Sequence, residues 1–315
     1  MNWFEQGVLL ARMRRVCAAG GLRCPGGRRM FQLRDNPLLR AGRTEWILQP
    51  GGCALTGAFG SEGFFAVPCA ASPRDADALV RAIIDRQRAW GSGRVVGPLS
   101  PSIADFSCGA APAGSGADAS PFSERMPAFL GRTLEENGFS VVSRSILYEL
   151  DTAGLDLGRY ERAAAYAQRR FGVEIVSALA MGDRAACAAI ARVSRTDPAM
   201  AHTDEETAVL IGALGRYWSR RMTQIALRGG EPVGCLLSLA DGRARVARAA
   251  TIQIVPAWRN RALTAALALP MLRAAAGMRV ECGVIDGNNL ASRLTVECAG
   301  ARPAAVFLRY GIELI

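Results

Sequence analysis

The chemistry of greatest interest lies at residues 252–264, IQIVPAWRNRALT, where an apolar strand-like run passes into an alanine-rich helical one with Arg259, Asn260 and Arg261 at the junction. A helix start leaves about four backbone N–H groups without partners and carries partial positive charge, so it can donate to phosphate oxygens. Ala262 and Thr264 are small enough to let a phosphate approach Leu263 and the helix start, and two guanidinium groups add charge beside it. Two readings fit these residues: an ordinary strand-to-helix turn with solvated arginines, or a turn that holds a phosphate.

The other reactive groups are few. Glu281, on the next strand-like run RVECGVID, is a candidate base, or equally a strand-edge carboxylate. The single histidine, His202, stands in AMAHTDEE with no nucleophile elbow near it, which argues against a serine–histidine–acid triad. Nine cysteines include no CxxC and no zinc-like spacing with histidine, so no metal is expected; most sit in apolar segments such as PVGCLL and read as buried free thiols. The chain holds no lysine, which excludes Schiff-base chemistry and the phosphate-binding lysine of a P-loop.

The 315 residues suit about two domains, and 50% hydrophobic content is ample for a core. No apolar run reaches the ~18 residues that span a bilayer, and GVLLA is too short and wrongly flanked for a secretory signal. The chain reads as soluble and cytoplasmic, without a membrane partner. The net charge of +10 is carried by arginines spread along the sequence, with no basic run longer than RMRR. That distribution argues for a small anionic ligand, or simple arginine-rich coding bias, over nucleic acid.

The elements that would position these groups occur twice. Residues 1–29, glycine- and arginine-rich without a sustained period, read as a flexible extension, with Met30 as an alternative start. EWILQPGGCALTGAF then gives strand, turn, strand; GFFAVP a third strand; PRDADALVRAIIDRQRAWG a helix with apolar residues at helical spacing. A small-residue loop at 110–120 precedes a helix ending at Gly138 and a closing strand. The second half repeats the order: strand, Gly-Gly turn and strand in QIALRGGEPVGCLLSLAD, the strand ATIQIVP, helix, strand, helix, last strand. FFAVP echoes IQIVP, and Gly138 and Tyr148 match Gly300 and Tyr310 at one constant offset. A duplicated mixed α/β domain follows, divided as 30–151 and 152–315.

On these residues the second half resembles the GNAT acyl-CoA N-acyltransferases. The turn Arg259-Asn260-Arg261-Ala262-Leu263-Thr264 stands where that family has Gln/Arg-x-x-Gly/Ala-x-Gly/Ala, and Asn289 with Ser292 and Gly300 in NLASRLTVECAGA matches its later signature. The resemblance implies two GNAT-like mixed-sheet domains in tandem, the C-terminal one carrying the cofactor site. It implies acetyl-CoA or another acyl-CoA as donor, a small-molecule primary amine as acceptor, and a backbone N–H around Ile254 and Val255 polarising the thioester carbonyl. A homodimer is compatible with it. The first half's matching turn, VPCAASPRDADAL, has a proline and two aspartates, which implies a half without a cofactor site. Val296 replaces the tyrosine that many relatives place seven residues after the asparagine, and Gln253 stands where a glutamate is common. Two alternatives remain: a FemX-type aminoacyltransferase using aminoacyl-tRNA, and a non-catalytic acyl-CoA-binding sensor.

Overall fold

The computed structural model describes residues 11–16, 18–19, 42–99, 122, 127–196, 203–284 and 289–314. His202 and the 110–120 loop lie outside these. The chain forms two units, one of Met1–Leu147, Gly283–Thr295 and Pro303–Ile315, the other of Tyr148–Cys282 and Val296–Arg302. The sequence suggests a single cut at 151/152; here each unit also takes in a segment from the far half of the chain.

In the first unit, strands β1 (Arg43–Gln49) and β2 (Gly52–Phe59) form the expected hairpin, with Gln49 opposite Gly52 across a Pro-Gly turn. Strand β3 (Glu62–Ala70) pairs antiparallel with β2, and β4 (Arg94–Leu99) pairs parallel with β3. A parallel neighbour requires a crossover, here helix α1 (Pro73–Ala89). Its Leu79, Val80, Ile83 and Ile84 recur at helical spacing and enter a core with Ile47, Phe65 and Val95. Helix α2 (Leu130–Glu136) adds Leu130 and Leu134 to the same core, and β5 (Ser140–Asp151) follows it. The last strand of the chain, β11 (Arg302–Glu313), pairs antiparallel with β4, setting Tyr310 opposite Gly97 and Glu313 opposite Arg94. This ladder is why the chain's C-terminus belongs to the unit built by its beginning.

Residues 11–16 are helical, and Met13 (0% exposed) and Val16 (5%) are buried against Cys53, Leu55, Ala66 and Val67. For these residues the flexible-extension expectation fails, because two apolar side chains cover a sheet face. A glycine-rich composition hid that signal.

The second unit begins with helix α3 (Gly158–Phe171), which ends on Gly172 in the left-handed conformation. Strand β6 (Val173–Ser177), helices α4 (Ala178–Met181), α5 (Asp183–Ser194) and α6 (Asp204–Leu214), and strands β7 (Gln224–Arg228), β8 (Glu231–Asp241) and β9 (Val246–Ile254) follow. The β7–β8 hairpin turns on Gly229 and Gly230, both with positive φ (58° and 84°), the conformation that makes two-residue hairpins favour glycine. Helix α7 (Leu263–Ala274) then crosses to β10 (Arg279–Val284), parallel to β9. The strand order is β10-β9-β8-β7-β6. Helix α8 (Leu290–Cys298) has Leu290–Thr295 in the first unit and Val296–Cys298 in the second. No helix among the described residues is long and apolar enough to cross a membrane.

Candidate functional site

Helix α7 is tied down by its buried face: Leu263, Leu267 and Met271 repeat every four residues and are fully buried. The start of the helix is different. Its N-cap, Ala262, adopts φ 60° and makes no side-chain cap bond, and the first intrahelical bond runs from Ala266 N–H to the Ala262 carbonyl. The N–H groups of Leu263, Thr264 and Ala265 therefore have no intrahelical or capping acceptor among the described residues. Asn260 also has positive φ (61°). Two non-glycine residues held left-handed within three positions are uncommon, and together they turn the backbone sharply from the 3₁₀ segment Pro256–Trp258 into the helix.

The arginines of the turn do different things. Arg259 is exposed and reaches back to the Ile254 carbonyl at 3.4 Å. Arg261 lies over two rings, 4.7 Å from the Trp258 centroid and 5.0 Å from that of Phe171. Neither forms a salt bridge with a described carboxylate.

The two donors named on the strand leading into the turn differ in their partners among the described residues. Val255 N–H donates to the Val233 carbonyl at 3.0 Å, so it is committed to β8. In an antiparallel ladder alternate residues bond a given neighbour, so Ile254 N–H faces the opposite edge, the side of β10. Among the described residues the pairing of β10 with β9 runs from Arg279↔Val246 to Cys282↔Ala249, and β9 continues to Ile254. Of the two backbone donors named from sequence, Val255 is committed to β8, and Ile254 N–H has no partner among the described residues. Gln253 is held from α5, accepting from Ser194 Oγ at 2.7 Å.

Glu281 is in another situation altogether. It stands directly opposite Arg248 in the β9–β10 ladder, both side chains are 0% exposed, and Arg248 donates from Nε and Nη2 to Oε2 at 2.9 and 2.8 Å. Its second oxygen accepts from Arg279 Nη2 at 3.4 Å. A carboxylate that is 0% exposed and paired with a permanent cation is poorly placed to take a proton, which argues against Glu281 as the base. An acidic residue on a strand reads the same in sequence whether it faces a cleft or a buried arginine.

Asn289 and Ser292 fall in the first unit, and the turn falls in the second. Asn289 Oδ1 accepts from Ser292 N–H at 3.1 Å, capping the start of α8. Val296 and Glu297 lie near that helix's end, where Glu297 accepts from the Tyr148 hydroxyl at 2.7 Å.

Burial pushes the Cys235 and Cys282 thiols up to about 12, with the Glu281 charge adding to the effect at Cys282. Both stay protonated near neutrality and are not nucleophiles. Among the described residues no group of three or more His, Cys, Asp or Glu is placed to hold a metal.

No protein-family model matches the chain, and no curated protein matches it in sequence. Solved structures do resemble it. A tandem GNAT protein from the clavulanic acid biosynthesis pathway aligns with TM-score 0.61 at 14% identity, over 99% of this chain and 96% of that one. A GCN5-related N-acetyltransferase from Sphaerobacter thermophilus aligns with TM-score 0.51 at 13% identity, over 98% and 91%. The glucosamine N-acetyltransferase region of a fungal multi-domain GH3 β-N-acetylglucosaminidase aligns with TM-score 0.61 at 11% identity, over 98% of this chain and 37% of that one. At such identities the likeness carries the fold, and activity has to be argued from the residues.

Proposed function

Starting from a tandem GNAT fold, we propose that this chain is an acyl-CoA-dependent N-acyltransferase whose second half holds the donor and passes its acyl group to a small primary amine. The observation that carries the reading is the α7 start: three N–H groups without a partner among the described residues, behind a left-handed Ala262 and close after the end of β9. A diphosphate accepts from those N–H groups, and Arg259 adds charge at the rim. The acyl arm then lies along the free edge of β9, where Ile254 N–H can donate to the thioester oxygen as negative charge develops on it.

The amine attacks the thioester carbon, the C–S bond breaks, and the thiolate leaves. The amine must shed a proton. With Glu281 locked to Arg248, that proton goes to solvent, which suits an amine already partly neutral at the working pH. The thiolate takes its proton from water, since Val296 offers none. The enclosed Glu281 also favours a second reading, a binding protein that senses acyl-CoA without turning it over.

One pair of measurements tests both. Acetyl-CoA is expected to raise the melting temperature, since a ligand that binds only the folded state stabilises it, and Arg259→Glu is expected to reduce the rise. Thiol release in the presence of an amine panel then separates enzyme from sensor. No rise with any CoA thioester would end the reading.

A further inference from the structure

Beside the uncapped start of α7 lies a cluster of rings and guanidinium groups that the acyl-transfer chemistry does not use. Trp258 belongs to the turn, and Phe171 and Tyr166 come from the last two turns of α3. The rings meet edge to face, Phe171 to Trp258 at 6.4 Å and Tyr166 to Phe171 at 5.6 Å. Arg261 lies over both Trp258 and Phe171, and Arg170 approaches the Phe171 ring at 6.0 Å. Tyr166 is 48% exposed, an unusual state for a large ring, and Phe171, Trp258 and Arg261 are only half-buried. Arg170, Arg259 and Arg261 form no salt bridge with a described carboxylate. A patch whose cations have no counter-ion among the described residues, beside open aromatic surface, is suited to a ligand that is anionic and flat at once.

We propose that this cluster binds the nucleotide end of the donor, so that the chain selects acyl groups carried on CoA over the same groups carried on phosphopantetheine. The inference rests on the acyl-CoA reading above and deepens it. A diphosphate on the α7 N–H groups has two ends: the pantetheine arm leaves along β9, and the adenosine leaves in the other direction, one ribose from the phosphate. Trp258 and Arg261 precede the N-cap Ala262 by four positions and one, so the cluster begins within that reach. The purine stacks on the exposed ring and guanidinium surface, and the ribose phosphate meets Arg170 and Arg259. Phosphopantetheine, whether free or on a carrier protein, lacks both groups and gains nothing from the cluster. Arginines interleaved with rings can also hold RNA, but three arginines and three rings in one patch suit a single nucleotide, whereas RNA needs an extended basic track.

The test is calorimetric titration of the full chain with acetyl-CoA, S-acetyl-4′-phosphopantetheine and adenosine 3′,5′-bisphosphate. Acetyl-CoA is expected to bind about tenfold or more tightly than the acetyl-phosphopantetheine, the scale of one stacked base, and the bisphosphate to bind and to compete with it. Tyr166→Ala, at an exposed site where folding is preserved, is expected to weaken acetyl-CoA and the bisphosphate alike while leaving acetyl-phosphopantetheine unchanged. Trp258→Phe should keep the fold and abolish any fluorescence quenching by the bisphosphate. Equal affinity for the two acetyl donors would overturn the selection while leaving the α7 site standing. Failure of both donors to bind would remove the acyl-CoA reading and this inference with it. Binding of tRNA that Tyr166→Ala weakens would reassign the cluster to RNA.

Discussion

Helices α1 and α7 occupy matching places in the two halves, each following a Val-Pro step, FFAVP within β3 in one and IQIVP at the end of β9 in the other. Helix α1 is closed by its own residues. Ser72 Oγ accepts from Asp75 N–H at 3.2 Å and donates to the Asp75 carboxylate at 2.6 Å, and Pro73 supplies no N–H at all. The Asp75 carboxylate also fills the space beside Gly51, where an added Cβ would come within 2.3 Å of it. Upstream, Val67 holds φ 48°, a strained conformation for a β-branched residue, and Met13 and Val16 cover it. Helix α7 has none of these closures: no cap, no proline at its first position, no carboxylate in its first turn. Duplication gives two helix starts, and local side chains decide that one is filled by the protein and the other is left for an anion.

The ladder below each helix sharpens the contrast. Counting from the first parallel pair, Arg94↔Glu62 in the first unit and Arg279↔Val246 in the second, the third pair is Val96↔Phe64 in one and Glu281↔Arg248 in the other. An apolar pair stands where the other unit buries two charges. The largest effect is expected here. Glu281→Leu leaves Arg248 buried without its carboxylate and is expected to cost about 3–5 kcal/mol in denaturant unfolding. Adding Arg248→Leu should restore most of that stability by recreating the first unit's apolar pair. If the double variant is no better than the single one, the ion pair does more than fill space.

The helix starts themselves come next. Ala265→Asp places a carboxylate at the α7 position matching Asp75, and acetyl-CoA binding by thermal shift is expected to weaken about tenfold, or about 1.4 kcal/mol. The reverse change, Ser72→Ala, removes the α1 cap and is expected to cost about 1 kcal/mol of stability without creating any response to acetyl-CoA, because Pro73 still lacks a donor. A new acetyl-CoA site in that variant would mean that the cap alone distinguishes the halves.

The smallest effect concerns the repeated tyrosines. Tyr148 donates to Glu297, and Tyr310 donates to Glu135 at 3.3 Å. Burial first, then the Glu135 charge and hydrogen bond, push the Tyr310 hydroxyl up to about 12 from its ordinary 10.0. The folded state thus holds this proton more tightly than the unfolded one. The linked stability is complete below pH 10 and is lost as pH rises from 10 toward 12. Tyr310→Phe is expected to flatten that part of the stability curve, read by urea midpoints across the same range.

Much of the fold was legible because it rests on local rules. The Pro-Gly and Gly-Gly hairpins, the amphipathic spacing of α1 and the paired glycines all lie within a few residues of their cause. Gly138 and Gly300 have φ of 87° and 88° and end α2 and α8 with the same two bonds: Gly138 N–H to Glu135 and Phe139 N–H to Leu134, repeated as Gly300 to Glu297 and Ala301 to Val296. That is a helix-end motif that glycine alone announces. The candidate site was less legible. The turn at 259–264 could be found from its residue types. The role of Glu281 could not, since its partner lies 33 positions earlier in sequence, nor could the commitment of Val255, which depends on ladder phase. Within VEIVSALA the strand stops at Ser177, whose hydroxyl caps a short helix.

The sequence by itself determined the repeat, the turns and helix ends, and the absence of closing groups at the start of α7, because each is a property of a few neighbouring residues. Only the tertiary structure decided which half of the chain completes which unit. Tyr148 meets Glu297 and Tyr310 meets Glu135, so each repeated tyrosine finds its carboxylate in the opposite repeat. Either repeat could have supplied that partner as far as composition and spacing go. The choice is made by strand pairing between distant segments, whose bonds leave no local trace in the residues that form them.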